Sequence, residues 1–235
     1  MAHNPAIAPM SLTARARGAG ALLIAATLLE ILAMAHHPAV HTHDLSQAIG
    51  QLRMLAGVAA LVHGILITLM WLGFFALSEF TVRRNPARTA IRFGFMAYAM
   101  GLAAMTGAAI VSGFITPGVA LASAGVDGTD LKITGQLLNL CLLGNQALAR
   151  LGVVAMSAGI AAWSLDLVRA PGLERVLGVL GIAIGVGCAG ALIGGALQLD
   201  VHGMLGVIVA QGIWCIGVGV LLWRAAPVPL YQPIP

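Results

Sequence analysis

Charged residues are scarce in this chain. Only 9% of its 235 residues are Asp, Glu, Lys or Arg, whereas 60% are hydrophobic. Because soluble globular domains carry about 25% charged residues, this composition excludes an ordinary soluble domain. The net charge of +4 does not indicate a nucleic-acid partner, since the arginines fall at the ends of apolar runs and form no basic face. The lipid bilayer is the expected partner, and no nucleic acid is predicted.

The sequence also lacks the common catalytic and cofactor motifs. It contains no GxSxG, no HExxH, no glycine-rich phosphate loop followed by lysine and no CxxCH. The single lysine, Lys132, lies between apolar runs, which excludes an intramembrane Schiff base. The three cysteines lie inside apolar runs without paired spacing, and we expect them to pack in the core. The motifs therefore leave open whether the protein is an enzyme.

Long apolar runs take the place of these motifs. Several of them reach the roughly 20 residues that a helix needs to cross about 30 Å of hydrocarbon. The predicted spans are 18–37, 51–79, 89–116, 134–166, 175–198 and 201–224. We predict an all-α fold, a bundle of six transmembrane helices over residues 18–224, with tails at 1–17 and 225–235. Asp44, followed by Gln47, resembles a capping box and predicts that helix 2 begins before its apolar part.

The basic residues predict the orientation of the bundle. Loops on the cytoplasmic side hold an excess of Lys and Arg. On one side fall Arg15, Arg17, Arg83, Arg84, Arg88, Arg92, Arg169, Arg175 and Arg224, and on the other only Arg53 and Lys132. We therefore expect a multi-pass protein of a bacterial inner membrane with both termini in the cytoplasm.

The fifth span is rich in small residues. Gly181 and Gly185, and then Gly190 and Gly194, have the spacing that lets two helix backbones approach closely. This pattern predicts that the helix lies at the centre of the bundle or at the seam of a homo-oligomer.

Some polar residues interrupt the spans at bilayer depth. Counted from the predicted helix ends, Glu30, His63, Arg150 and Gln211 lie near the midpoints, and Asn145 and Gln146 lie about one turn nearer the outer face. A charge at this depth normally faces protein or water and is paired. We therefore predict a contact between Glu30 and Arg150 in an outer-half ligand-binding cavity, with a structural clasp without a ligand as the alternative.

A histidine-rich segment follows the first span. The predicted metal ligands are His36, His37, His41, His43 and Asp44, with His202 from the start of the last span. Neutral imidazoles and carboxylates bind Zn²⁺, Cu²⁺ or Ni²⁺. The alternative is a set of solvated histidines at the membrane interface.

Haem is a second cofactor that the histidines allow. A membrane cytochrome needs axial histidines that face each other across a bundle, and His37 and His202 have similar predicted depth. His63 is predicted to lie too deep to pair with them. Without CxxCH, such a haem would be b-type.

These observations lead to one functional prediction and two alternatives. The leading prediction is a membrane protein that binds or transports a small ligand, ion or metal through a polar, histidine-lined site open to the periplasm. The alternatives are a b-type haem redox module or membrane anchor, and an accessory or assembly subunit without a ligand of its own.

Overall fold

The computed structural model describes residues 12–38, 40, 42, 44–84, 87–123, 125 and 128–224. Within these residues the protein is all-helical, and six helical spans are long and apolar enough to cross a membrane. The elements are α1 (Leu12–Ala35), α2 (Leu45–Arg83), α3 (Thr89–Ile110), a π-helical turn (Val111–Ile115), α4 (Thr116–Ala122), α5 (Gly128–Leu167), α6 (Leu173–Ile193) and α7 (Val201–Trp223). Since α3, the π-helical turn and α4 form one continuous span, the prediction of six apolar helices is confirmed.

Three spans are long and three are short. The long spans are α2 with 39 residues, α3–α4 with 34 and α5 with 40, whereas α1, α6 and α7 have 24, 21 and 23. At 1.5 Å per residue, α2 and α5 are about 60 Å long and the short helices about 31 to 36 Å. We call the end of the bundle where α1 begins and α2 ends the arginine end, and the opposite end the histidine end.

The long helices extend beyond the short ones at the histidine end. His37, two residues after α1, contacts His63, which lies 18 residues into α2. Leu199, just before α7, accepts a hydrogen bond from Gln146, which lies 18 residues into α5. Roughly 27 Å of each long helix therefore lies beyond these contacts. We call residues 45–62 of α2, α4 and residues 128–145 of α5 the outer extension.

Asp44 begins α2 in the way that its sequence predicts. Its Oδ1 atom accepts a hydrogen bond from the backbone N–H of Gln47 at 2.8 Å, which caps the helix. These hydrogen bonds, together with the one from the Ser46 hydroxyl, hold the pKa of the Asp44 carboxyl below its usual range.

Glycines set the closest contacts between helices. Gly101 of α3 packs on Gly152 of α5, so that a Cβ on Gly101 would lie 2.8 Å from the Gly152 carbonyl oxygen. Gly20 of α1 and Gly219 of α7 approach in the same way, and a Cβ on Gly219 would lie 3.0 Å from the Gly20 carbonyl oxygen. Through these contacts the helices pack tightly in the part of the bundle between the outer extension and the arginine end.

The predicted role of the glycine-rich helix is corrected in part. That helix is α6, and its Gly181 and Gly185 do pack closely, against α5 and the Trp214 side chain of α7. Gly187 and Gly190, in contrast, are exposed, and a Cβ on either would meet nothing within 4 Å. The central element is α5, which is the most buried of the six spans. The other alternative, a homo-oligomer seam along α6, stays a prediction.

Ion pairs tie the helices together at the arginine end. Glu79 pairs with Arg15 at 2.7 Å and with Arg83 at 3.5 Å, and its side chain is only 7% exposed. Asp166 pairs with Arg84 and Arg88, and its side chain is only 2% exposed. These arginines, predicted from the sequence only as orientation signals, therefore also link α1, α2 and α5.

Candidate functional site

A cavity of about 420 Å³ lies toward the histidine end of the bundle. Its floor is formed by the ends of α1 and α7, and its walls by the three long spans. We call it the outer cavity. Most of its surface is apolar, and its polar lining residues include Glu30, His37, His63, Asn145, Gln146 and Asp200. Volumes of a few hundred Å³, with apolar walls and a few convergent polar groups, are typical of small-molecule sites.

Two histidines form a hydrogen-bonded pair on the wall of the outer cavity. The Nε2 atoms of His37 and His63 lie 3.1 Å apart, and the rings meet edge to face. The Nδ1 atom of His63 lies 2.8 Å from the carbonyl oxygen of Ala59, which can only accept. Neutral His63 therefore carries its proton on Nδ1, and its Nε2 accepts the N–H of His37. The expectation that His63 lies too deep to meet His37 is wrong, because α2 extends about five turns beyond the end of α1.

The buried His63 side chain packs against the π-helical turn. Gly113 lies in this turn, and the position of a Cβ on it is already taken by the Cβ and ring of His63. A Cβ there would also lie 2.9 Å from His63 Nδ1. A π-helical turn places one residue more than usual in a helical turn, and such turns often occur at functional sites.

A second, smaller pocket continues from the outer cavity toward the arginine end. It has a volume of about 40 Å³, and Thr27, Tyr98, Gln211 and Cys215 are among its lining residues. Gln211 is buried, and its amide donates to the Ser157 hydroxyl at 3.0 Å. We call this the inner pocket. A cavity needs about 10 to 15 Å³ to hold one water molecule, so the inner pocket can hold water or a small ion but no organic molecule of drug size.

Glu30 of α1 lines both the outer cavity and the inner pocket. Among the described residues its carboxylate takes part in no ion pair and no hydrogen bond, although it lies close enough to Tyr98 and Cys215 to interact with them electrostatically. Arginine and lysine do not occur among the described residues that line either space. A carboxyl group within an apolar span thus faces the junction of the two spaces without a positive partner.

The predicted contact between Glu30 and Arg150 is wrong. Arg150 is exposed on the outside of α5, lines neither space and pairs with no acid among the described residues. The burial pattern of α5 explains this, since Ala149, Gly152 and Val153 form its inner face and turn residue 150 outward. Equal depth along two helices was the only basis for the predicted contact, and depth does not fix the side of a helix.

The other predicted ligand-binding residues lie along the two spaces. Asn145 and Gln146 line the outer cavity with His63, and Gln211 lines the inner pocket. The Gln146 amide donates to the Leu199 carbonyl at 3.0 Å, which ties α5 to the segment before α7. Glu30, His63, Asn145, Gln146 and Gln211 therefore share one continuous site.

The predicted metal ligands do not come together where the structure describes them. His36 contacts the carbonyl oxygen of Leu32 at 2.9 Å, Asp44 caps α2, and His202 is exposed on α7 outside the cavity lining. His41 and His43 lie outside the described residues. Within the described ranges, no three side chains of His, Cys, Asp or Glu are grouped so that they could hold a metal ion. The predicted axial pair of His37 and His202 is also not formed, since His37 bonds to His63.

Sequence reasoning missed four methionines of the outer cavity. They are Met34, Met70, Met105 and Met204. A signal for three of them exists in the sequence, because Met34 follows Glu30 by four residues, Met70 follows His63 by seven, and Met204 precedes Gln211 by seven. Residues four or seven apart share one face of a helix.

Comparison with known proteins gives no family for this chain. No protein-family model matches the sequence, and neither the curated proteins nor the solved structures include a significant match.

Proposed function

We propose that this multi-pass membrane protein binds or transports a small cationic solute, which enters the outer cavity from the histidine end and is recognised by Glu30. The observation that carries the proposal is the position of Glu30 at the junction of two spaces, without a basic partner among the described residues. Glu30 is half-buried, and a carboxylate within an apolar span is costly unless it is paired, so a cation from solution would supply the missing charge.

The arginine distribution supports an orientation for this uptake. The arginine end carries most of the basic residues, which favours the cytoplasm for that end. In a bacterial inner membrane the histidine end and the outer cavity would then face the periplasm. A solute would meet the His37–His63 pair and the amides of Asn145 and Gln146 before it reached Glu30.

The proposal is tested by thermal unfolding of the purified protein in detergent with a panel of chloride salts. The panel consists of ammonium, methylammonium, tetramethylammonium, sodium, calcium and zinc, with silver added separately as the nitrate. At least one cation should raise the melting temperature of the wild type, because a ligand that binds only the folded state stabilises it. The Glu30→Gln variant, which keeps the shape of the side chain and loses its charge, should not respond to that cation.

The matched control is Asp130→Asn, which removes one negative charge from an exposed position in the first turn of α5. It should respond like the wild type. An unchanged melting temperature with every cation, or an equal response of the wild type and Glu30→Gln, would overturn the proposal.

A second candidate function, that of an accessory subunit in a membrane complex, is favoured by Arg150. Its side chain is exposed on an apolar face of α5, between the exposed Leu143 and Leu151, and it has no acidic partner among the described residues. An arginine in such a place is normally paired. If a partner protein supplies that acid, Arg150→Leu should lower the mass of the native complex in mild detergent, whereas Arg53→Leu on α2 should leave it unchanged.

A further inference from the structure

Sulfur-containing side chains are concentrated around the inner pocket. The pocket has 15 lining residues, and five of them carry sulfur, namely Met70, Met105, Met156, Met204 and Cys215. The whole chain has only 10 methionines and 3 cysteines in 235 residues. These five side chains come from α2, α3, α5 and α7, so the fold brings them together from distant parts of the sequence.

Three of these methionines also line the outer cavity. Met70, Met105 and Met204 border both spaces, as Glu30 does. A solute that moved from the outer cavity to the inner pocket would therefore pass three thioethers and one carboxylate.

We infer that the inner pocket is a site for a soft monovalent cation of the Cu⁺ or Ag⁺ class, held by the thioethers of Met70, Met105 and Met204 and neutralised by Glu30. This inference rests on the proposed function and names the class of its solute. Thioether ligands select Cu(I), whereas Ca²⁺ and Mg²⁺ require several oxygen ligands. Among the described residues the inner pocket offers one carboxylate, which balances a single positive charge and would leave a divalent ion with an excess of one.

The size of the two spaces supports the same class of solute. The inner pocket, at about 40 Å³, admits a dehydrated ion or water, whereas the outer cavity, at about 420 Å³, also has room for an organic cation. An organic cation would therefore stop in the outer cavity, and only a small ion or water would enter the inner pocket, which all five sulfur-containing side chains line.

Methionine is also a common filler of irregular cores, and packing alone would place it in such a pocket. The presence of Glu30 separates the two explanations. A pocket built only for packing has no use for a carboxylate without a partner, since burying an unpaired charge is unfavourable. Substitutions that preserve packing and remove the thioethers therefore provide the test.

The experiment is isothermal titration calorimetry, in which silver nitrate is added to the full-length, detergent-purified protein. Silver is a probe that needs no reductant. The three cysteines are first replaced by alanine so that no thiol binds silver. This cysteine-free protein should bind one Ag⁺. The further variant Met70→Leu/Met105→Leu/Met204→Leu should lose at least about 100-fold in affinity, the upper range for lost interactions around a metal, and so should Glu30→Gln.

The matched control is Met54→Leu/Met96→Leu/Met100→Leu, which removes three thioethers from exposed positions. It should bind silver like its cysteine-free parent. Exchange of leucine for methionine is among the best tolerated core substitutions, and the helical circular dichroism and the melting temperature of each variant verify that it is folded.

The inference is overturned if the cysteine-free protein binds no Ag⁺, or if the Met70, Met105 and Met204 variant binds it as tightly as the control. The thermal panel then tells which idea has failed. Stabilisation by ammonium, methylammonium or zinc that depends on Glu30 would leave the proposed function standing without the soft cation. No stabilisation by any cation would remove both.

Discussion

The Nε2 atom of His37 lies 3.1 Å from the Nε2 atom of His63, although the two residues are 26 positions apart in the sequence. This contact joins the segment after α1 to the middle of α2. It shows that the short helix α1 ends beside the centre of a long one. The outer cavity exists because of this difference in length, since the long helices continue where α1 and α7 stop.

Acid should destabilise the protein through His37. Burial, and next the nearby His63, lower the pKa of His37 below its usual value, while the backbone of Pro38 opposes this shift. A lowered pKa in the folded state means that the stability it contributes is present above the unfolded value of about 6.5 and is lost as the pH falls through the folded value. The melting temperature should therefore fall more steeply below about pH 6.5 in the wild type than in His37→Asn. Parallel curves would contradict this prediction.

Replacing Gly113 by alanine should destabilise the protein, because Gly113 packs directly against His63. The new methyl group would occupy the space of the His63 Cβ and ring, and overpacking of this kind costs about 1 to 3 kcal/mol. The matched control is Gly118→Ala, five residues further on, where a Cβ would meet nothing within 4 Å. Thermal unfolding of both variants provides the comparison, and equal melting temperatures would show that His63 does not depend on Gly113.

Replacing Asp166 by asparagine should weaken the arginine end. The Asp166 carboxylate is almost fully buried and pairs with both Arg84 and Arg88. Breaking a buried pair costs about 3 to 5 kcal/mol, and we expect the lower end of this range because Arg84 keeps Glu174 at 2.9 Å.

The control for Asp166 is Glu174→Gln. The Glu174 side chain is 34% exposed, and Arg84 is its one ion-pair partner among the described residues. Pairs of this kind contribute about 0 to 1 kcal/mol. A loss of stability in Glu174→Gln as large as that in Asp166→Asn would contradict the assignment of Asp166 as the main link.

Much of the fold follows from the sequence because membrane spans are coded by length and hydropathy. Each of the six predicted spans overlaps a helix of the structure, and Asp44 caps α2 as expected. The helix lengths were harder to predict. Residues 45–50 of α2 and 128–133 of α5 continue the helices beyond their apolar parts, so hydropathy set the outer boundary too far inward.

The site could be predicted only in part, for a physical reason. Depth along a helix follows from residue number, and it placed His63 and Gln211 correctly inside the bundle. The direction in which a side chain points depends on which face of its helix packs against neighbouring helices. The sequence does not show that α5 buries Ala149 and Val153, and this burial turns Arg150 outward. The methionines were missed for a related reason, since an apolar residue in an apolar span gives no contrast.

The proposed cation site at Glu30 is tested most directly by equilibrium dialysis of radioactive silver, ¹¹⁰ᵐAg⁺, against the cysteine-free protein, its Glu30→Gln variant and its Asp130→Asn variant. Because Glu30 lies at the junction of the outer cavity and the inner pocket, its proposed role predicts one bound ion in the cysteine-free protein and in Asp130→Asn, and none in Glu30→Gln at the same free concentration. Equal binding by all three proteins would contradict it.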